Sequence, residues 1–203
     1  MNSLGCPQPL RILGLDPGLH ITGYGVLEAA DRGPRIVEAG VIRSGDNRTA
    51  ADMAQRLQTL YAGLCEVLAQ CDPAAIAVEQ LYAHYDHPRT AILMAHARGV
   101  LLLAGAQRNL PVVSYAATQV KKTITGNGRA SKEQMQHAIA RELGLAEPPQ
   151  PADVADALAV ALCHYFATNG GRSPLGSARS ATFTGVNRRA LFGENPDPLD
   201  ETA

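Results

Sequence analysis

The sequence lacks any run approaching 18 consecutive apolar residues, so no segment reads as a membrane-spanning helix. Its first ten residues, MNSLGCPQPL, have neither a basic stretch nor a continuous apolar stretch of the signal-peptide kind, which makes a cytoplasmic protein the default expectation. An excess of one charge is also missing. Lys and Arg total 18 against 19 Asp and Glu, a net charge of −1, so a nucleic-acid partner would have to be held by a local basic patch. The four cysteines (Cys6, Cys65, Cys71, Cys163) form no C-x-x-C pair and no finger-like spacing with histidine, which argues against structural zinc and for reduced, buried thiols. There is no internal repeat.

What is present is 203 residues, 46% apolar and 18% charged, enough to bury the core of one ordinary domain. Leu10 to Asp16 (LRILGLD) reads as a largely buried strand stopped by Pro17-Gly18, with Asp16 as its last residue. Two extended runs follow, Ile21 to Glu28 and Arg35 to Ile42, joined by the turn-like Ala30-Asp31-Arg32-Gly33, so the chain opens as a three-stranded meander. Met53, Leu57, Leu60, Leu64 and Leu68 mark an amphipathic helix over about 50–70. Ala74 to Val78 is purely apolar, as a central strand buried on both faces would be, and it runs into Glu79.

A helix over roughly Arg89 to Arg108 and a strand over Pro111 to Tyr115 come next. A short helix is then expected over Ala117 to Thr125, a break at Gly126-Asn127-Gly128, and a helix to about Leu143 opened by Ser131 as its N-cap. Ala152 to Thr168 is helical in propensity and apolar nearly all round, except for two aspartates in its first turn, so it must lie against the sheet. Residues 169–203 are rich in Gly, Ser, Pro and Arg and read as a disordered tail. Strands first and alternating elements after make the expected class α/β, with an ordered domain over 10–168.

Two carboxylates, Asp16 and Glu79, end apolar strands, where a charge is costly unless solvent, a cation or a metal meets it. If those strands are parallel neighbours, both acids share one edge of the sheet, where α/β folds place sites. Asp-Pro-Gly is also ordinary turn chemistry, and a strand-end glutamate can simply face water. Asp153 and Asp156 are three residues apart in a first helical turn and so share a face. A favourable interaction with the helix N-terminus would account for them too, although Asp156 sits on a helix otherwise built for burial. Together the four would form a pocket that repels itself unless divalent cations occupy it, and carboxylate-only ligation selects hard ions, Mg²⁺ or Mn²⁺. His164 is no partner for Asp153, because 11 residues of helix rise about 16.5 Å.

The segment Gln119 to Arg141 carries Lys121, Lys122, Arg129, Lys132 and Arg141 against one acid, Glu133. A solvated helix face is the ordinary explanation, but the Gly-Asn-Gly break offers backbone donors suited to phosphate. Directly after Glu79, Tyr82 and Tyr85 are placed to stack on unpaired bases or to cover the edge of the core.

The blocks LGLDPGLHITGYGV (13–26), AVEQLY (77–82), ARGV (97–100), YAATQVKKTITGNGRASKEQMQ (115–136) and ADVADALAVALCH (152–164), in this order, resemble the RuvC family of Holliday-junction resolvases. The resemblance runs from about residue 10 to 168. It implies a ribonuclease H-like mixed five-stranded sheet flanked by helices, a homodimer, and paired symmetric metal-dependent incisions of four-way junction DNA in recombination and repair, with a branch-migration helicase complex of the RuvA and RuvB type as partner. It implies metal ligation by Asp16, Glu79, Asp153 and Asp156, with two ions per active site. It also implies DNA contact by Lys121, Lys132, Lys122 and Arg129, and stacking by Tyr82 where some members carry a Phe. The first block is similar as well to the phosphate-binding hairpin of actin- and hexokinase-like ATPases, but this chain has one meander and no second phosphate motif. A non-catalytic junction-binding protein is the third alternative, disfavoured by the presence of all four carboxylates.

Overall fold

The computed structural model describes residues 10–45, 52–81 and 88–168. The tail expected over 169–203, and the Tyr82 loop, lie outside the described residues. Five strands form one sheet: β1 (Arg11–Asp16), β2 (Ile21–Ala30), β3 (Gly33–Arg43), β4 (Ala75–Glu79) and β5 (Val112–Tyr115). Their order is β3-β2-β1-β4-β5, antiparallel from β3 to β1 and parallel from β1 through β4 to β5. This is the mixed five-stranded sheet expected. The meander strands outrun their predicted ends because β2 and β3 continue pairing as far as Ala30 and Gly33, leaving Asp31-Arg32 as the turn. Local pattern marks where apolar residues stop, not where a ladder does.

The helices are α1 (Met53–Cys71), α2 (Pro88–Gln107), α3 (Ala117–Thr125), α4 (Lys132–Glu142) and α5 (Ala152–Thr168). The Ser131 cap is a complete capping box: its hydroxyl accepts from the Gln134 amide at 3.2 Å, and the Gln134 side chain accepts from the Ser131 amide at 2.9 Å. Two cores flank the sheet. On one side Leu13, Leu15, Ile76 and Val78 meet Leu60, Leu64 and Leu68 of α1 and Leu101 of α2. On the other, Ile12, Leu27 and Ala77 meet α5, α3 and α4 through Leu158, Leu162, Ile124 and Ile139. The period of two along each strand assigns the sides. It also puts Asp16, two residues after Gly14, and Glu79, two after Ala77, on the α5 side.

Charge is buried at the opposite end of the meander. Glu28 is 4% exposed and accepts from Arg11 Nε at 2.9 Å and from Arg35 Nε at 2.9 Å, which together hold its carboxyl below the usual range, Arg11 contributing most. Arg11 also donates to the Cys71 carbonyl at 2.8 Å, tying β1 to the end of α1. An acid paired twice in this way is satisfied and belongs to the scaffold.

Candidate active site

β1 and β4 are parallel with Leu15 beside Val78, so the next step of the same register sets Asp16 beside Glu79. In the antiparallel direction Asp16 is opposite Gly23 of β2. The turn after Asp16 is locked by Thr22, fully buried, whose hydroxyl donates to the Gly18 carbonyl at 2.7 Å. A strand end pinned on both sides holds its carboxylate in one place. Glu79 is pinned as well: the Gln80 amide donates to the Tyr115 carbonyl at 2.8 Å, and Arg98 of α2 donates through Nε to the Glu79 carbonyl at 3.3 Å and through Nη2 to Ser114 at 2.6 Å. Sequence reasoning gave neither Thr22 nor Arg98 a role. The signals for Arg98 are its place as a cation in the middle of a largely apolar 20-residue helix and within the ARGV block.

α5 lies over this corner and supplies Asp153 from its first turn and Asp156 just beyond it, both half-buried. The four acids act on one another. Burial raises the Asp16 carboxyl first, then Glu79, Asp156 and Asp153 in that order, to about 7 from an ordinary 3.8, with Lys132 opposing. Glu79 is raised by burial and then by Asp156, against Lys121. Asp156 is raised by burial, while Lys132, its Nζ 3.6 Å from Oδ2, pulls it back. Like charges gathered in a partly desolvated corner share protons or bind cations.

A cleft of about 260 Å³ opens here, lined by Glu79, Lys121, Lys132, Met135 and Asp156 among others. A larger hollow of about 540 Å³ beside α4 is lined by Thr125, His137 and Arg141, and contains none of the four acids. The smaller of these two hollows is the one with chemistry, because it joins carboxylates to lysines. Lys122 and Arg129 are exposed and line neither hollow. Tyr82 lies outside the described residues.

Divalent ions fit this donor set. It is all carboxylate oxygen, which suits hard cations, and the raised Asp16 shows a charge requirement that protons or cations must meet. Among the described residues, no three His, Cys, Asp or Glu side chains are drawn close enough to enclose an ion as they stand. His164 is engaged in the core: it is 7% exposed and its Nδ1 is 2.8 Å from the Tyr115 hydroxyl. Burial lowers its pKa. Cys65, Cys71 and Cys163 are free thiols.

Comparison with known proteins gives the family of the chain. The family described as crossover junction endodeoxyribonuclease RuvC matches residues 12–164. The crossover junction endodeoxyribonuclease RuvC of Rhodopirellula baltica is 52% identical over 161 residues, 78% of this chain and 88% of that one. Its counterpart in Azoarcus is 41% identical over 183 residues, 89% of this chain and 97% of that one. Among solved structures, Thermus thermophilus RuvC in complex with Holliday junction substrate superposes with a TM-score of 0.72 at 32% identity, covering 80% of this chain and 96% of that one. The fold is ribonuclease H-like, and nucleases of that fold use divalent metal. With the matched span, the relatives and the fold in agreement, the chain belongs to the RuvC family of crossover junction endodeoxyribonucleases.

Proposed function

We propose that this chain resolves four-way DNA junctions by paired symmetric incision, with Asp16, Glu79, Asp153 and Asp156 as ligands for two Mg²⁺ or Mn²⁺ ions per active site. The observation that carries the reading is the convergence of acids from β1, β4 and α5 on one sheet corner, where Asp16 is pushed up to about 7 by burial and by the other three. The ions, when bound, supply Lewis acidity and a more acidic water. The chain's own groups do the rest. Asp16 and Glu79, at the ends of paired strands, are the rigid half of the ligand set, and Asp153 and Asp156 the half carried by a helix. Lys121 and Lys132, already acting on Glu79 and Asp156, stand where a phosphodiester would replace the carboxylates as their partner. In-line attack by water with departure of the 3′ oxygen leaves 5′-phosphate and 3′-hydroxyl ends.

Lys122, Arg129 and Tyr82 complete the DNA contacts in this reading, the lysines and arginine on phosphate and the tyrosine on an unpaired base. Residues 10–168 form the nuclease domain and 169–203 a tail. The active form is a homodimer in the cytoplasm that works with a branch-migration helicase complex of the RuvA and RuvB type. α2 supports the dimer. It is long and apolar enough, by length and composition alone, to cross a membrane, yet only 22% of that stretch is buried, with Ile92 57% and Leu103 52% exposed. A second copy of the same helix would cover such a face, as two-fold contacts do.

The test is cleavage of a mobile synthetic four-way junction, mapped to the nucleotide with Mg²⁺ and Mn²⁺ in parallel. Nicks placed symmetrically across the junction, with ligatable ends and strict metal dependence, are expected. Tight junction binding with no incision in either metal would leave a non-catalytic binding protein instead.

A further inference from the structure

We infer that Gly23 is a positioning residue for the metal centre, setting the height of the Asp153–Asp156 turn above Asp16. This rests on the carboxylate assignment proposed above. Gly23 is directly opposite Asp16 in the β1–β2 ladder, on the face that carries α5. A Cβ at Gly23 would lie 2.0 Å from the Asp153 carbonyl oxygen and 2.5 Å from its carbonyl carbon. Those are backbone atoms, which cannot swing aside. One turn further along α5, a Cβ at Gly14 would lie 2.1 Å from the Ala157 carbonyl oxygen. The helix therefore rests on two bare backbone positions through successive-turn carbonyls, in the manner of Cα–H···O contacts.

Elsewhere in the fold Gly63 and Gly105 meet side chains, while Gly18 meets the Ile21 carbonyl of its own turn. A Cβ at Gly63 would meet Ile42 Cγ2 at 2.6 Å, and one at Gly105 would meet Ile76 Cδ1 at 2.7 Å, both side-chain methyl groups rather than helix backbone. Gly23 differs in that the atoms it admits belong to a carboxylate-bearing residue. A carbon–oxygen contact needs about 3.3 Å, so any side chain at position 23 lifts the start of α5 by about 1 Å. Asp16 stays on its strand, and the gap between the rigid and helical halves of the ligand set widens. A displacement of that size costs on the order of 100-fold when it falls on reacting groups.

The experiment compares Gly23→Ala with Gly63→Ala as a control for lost stability, both in the full chain. Mn²⁺ binding to the metal-free protein, read from the EPR signal of free Mn²⁺, is expected to weaken at least about tenfold in Gly23→Ala, as it does when the supports of a metal site are altered. Junction cleavage should fall about 100-fold. Junction affinity without divalent ion, which rests on phosphate contacts, should stay within about twofold. Gly63→Ala should lose thermal stability and keep its Mn²⁺ affinity. Unchanged Mn²⁺ affinity in folded Gly23→Ala overturns the inference. Should Gly23→Ala fail to fold, Gly14→Ala pushes on the same helix at Ala157, and unchanged Mn²⁺ affinity there is equally contrary. Failure of the underlying assignment looks different: Asp16→Asn would then bind Mn²⁺ as well as the wild type.

Discussion

The two faces of the sheet are built from the same strands and covered by helices, yet only one can do chemistry. On the α1 and α2 side the strands present Leu13, Leu15, Ile76 and Val78, and leucines of the helices fill the space between. On the α5 side the strands present Gly14, Gly23 and Gly25, the helix backbone comes down onto the sheet, and the strands end in Asp16 and Glu79. Bulky packing tolerates adjustment, because side chains can rearrange; backbone on backbone does not. The face that carries the four carboxylates is the one where, at Gly14 and Gly23, helix backbone rests directly on strand backbone.

The contrast is sharpest in activity. Glu79→Gln removes one acid from the corner and is expected to reduce junction cleavage about 100- to 1000-fold, in the range found for a group that stabilises developing charge, with the melting temperature little changed. Leu64→Ala, fully buried on the opposite face, should do the reverse, losing about 2 to 5 kcal/mol by chemical denaturation while the folded fraction cleaves normally. A large loss of specific activity in Leu64→Ala would mean that the two faces are not separable.

A smaller effect follows from the raised Asp16. Its carboxyl ionises near 7 in the folded protein and near 3.8 when unfolded, so between those values the folded state holds the extra proton. The contribution of Asp16 to the stability of the metal-free protein is then fully present below about 4 and is lost as pH rises through 7, by up to a few kcal/mol. Thermal melts of chelator-treated protein at pH 5 and pH 8 should show the higher midpoint at pH 5. Asp16→Asn should remove most of that difference. A midpoint that rises with pH would deny the acid cluster. The smallest expected change is Ser131→Ala, which opens the capping box of α4 and should cost about 1 kcal/mol, with a modest loss of activity through Lys132 in the same turn.

Much of this corner is legible in sequence because its signals are local. A strand that ends on an acid, a helix that is apolar except for its first turn, and a serine three residues before a glutamine each declare themselves within a short window. α3 and α5 run over the very ranges expected, Ala117–Thr125 and Ala152–Thr168. What was not legible depends on distant partners. Nothing near Gly23 announces that Asp153, 130 positions later, rests on it, and Arg98 becomes a support for Glu79 only once α2 crosses the ends of β4 and β5. α2 also hid its exposure: apolar residues lie all round it, so no stripe says which face is covered. Glu28 looked like an ordinary strand residue and is a buried, doubly paired acid because Arg11 and Arg35 come from its two neighbouring strands.

The most direct test of the metal-dependent nuclease centre is incision of a synthetic four-way junction by wild-type protein and by Asp16→Asn, side by side with Mg²⁺. Symmetric nicks by the wild type and essentially none by the variant, with junction binding retained, are predicted; full cleavage by Asp16→Asn would contradict the assignment.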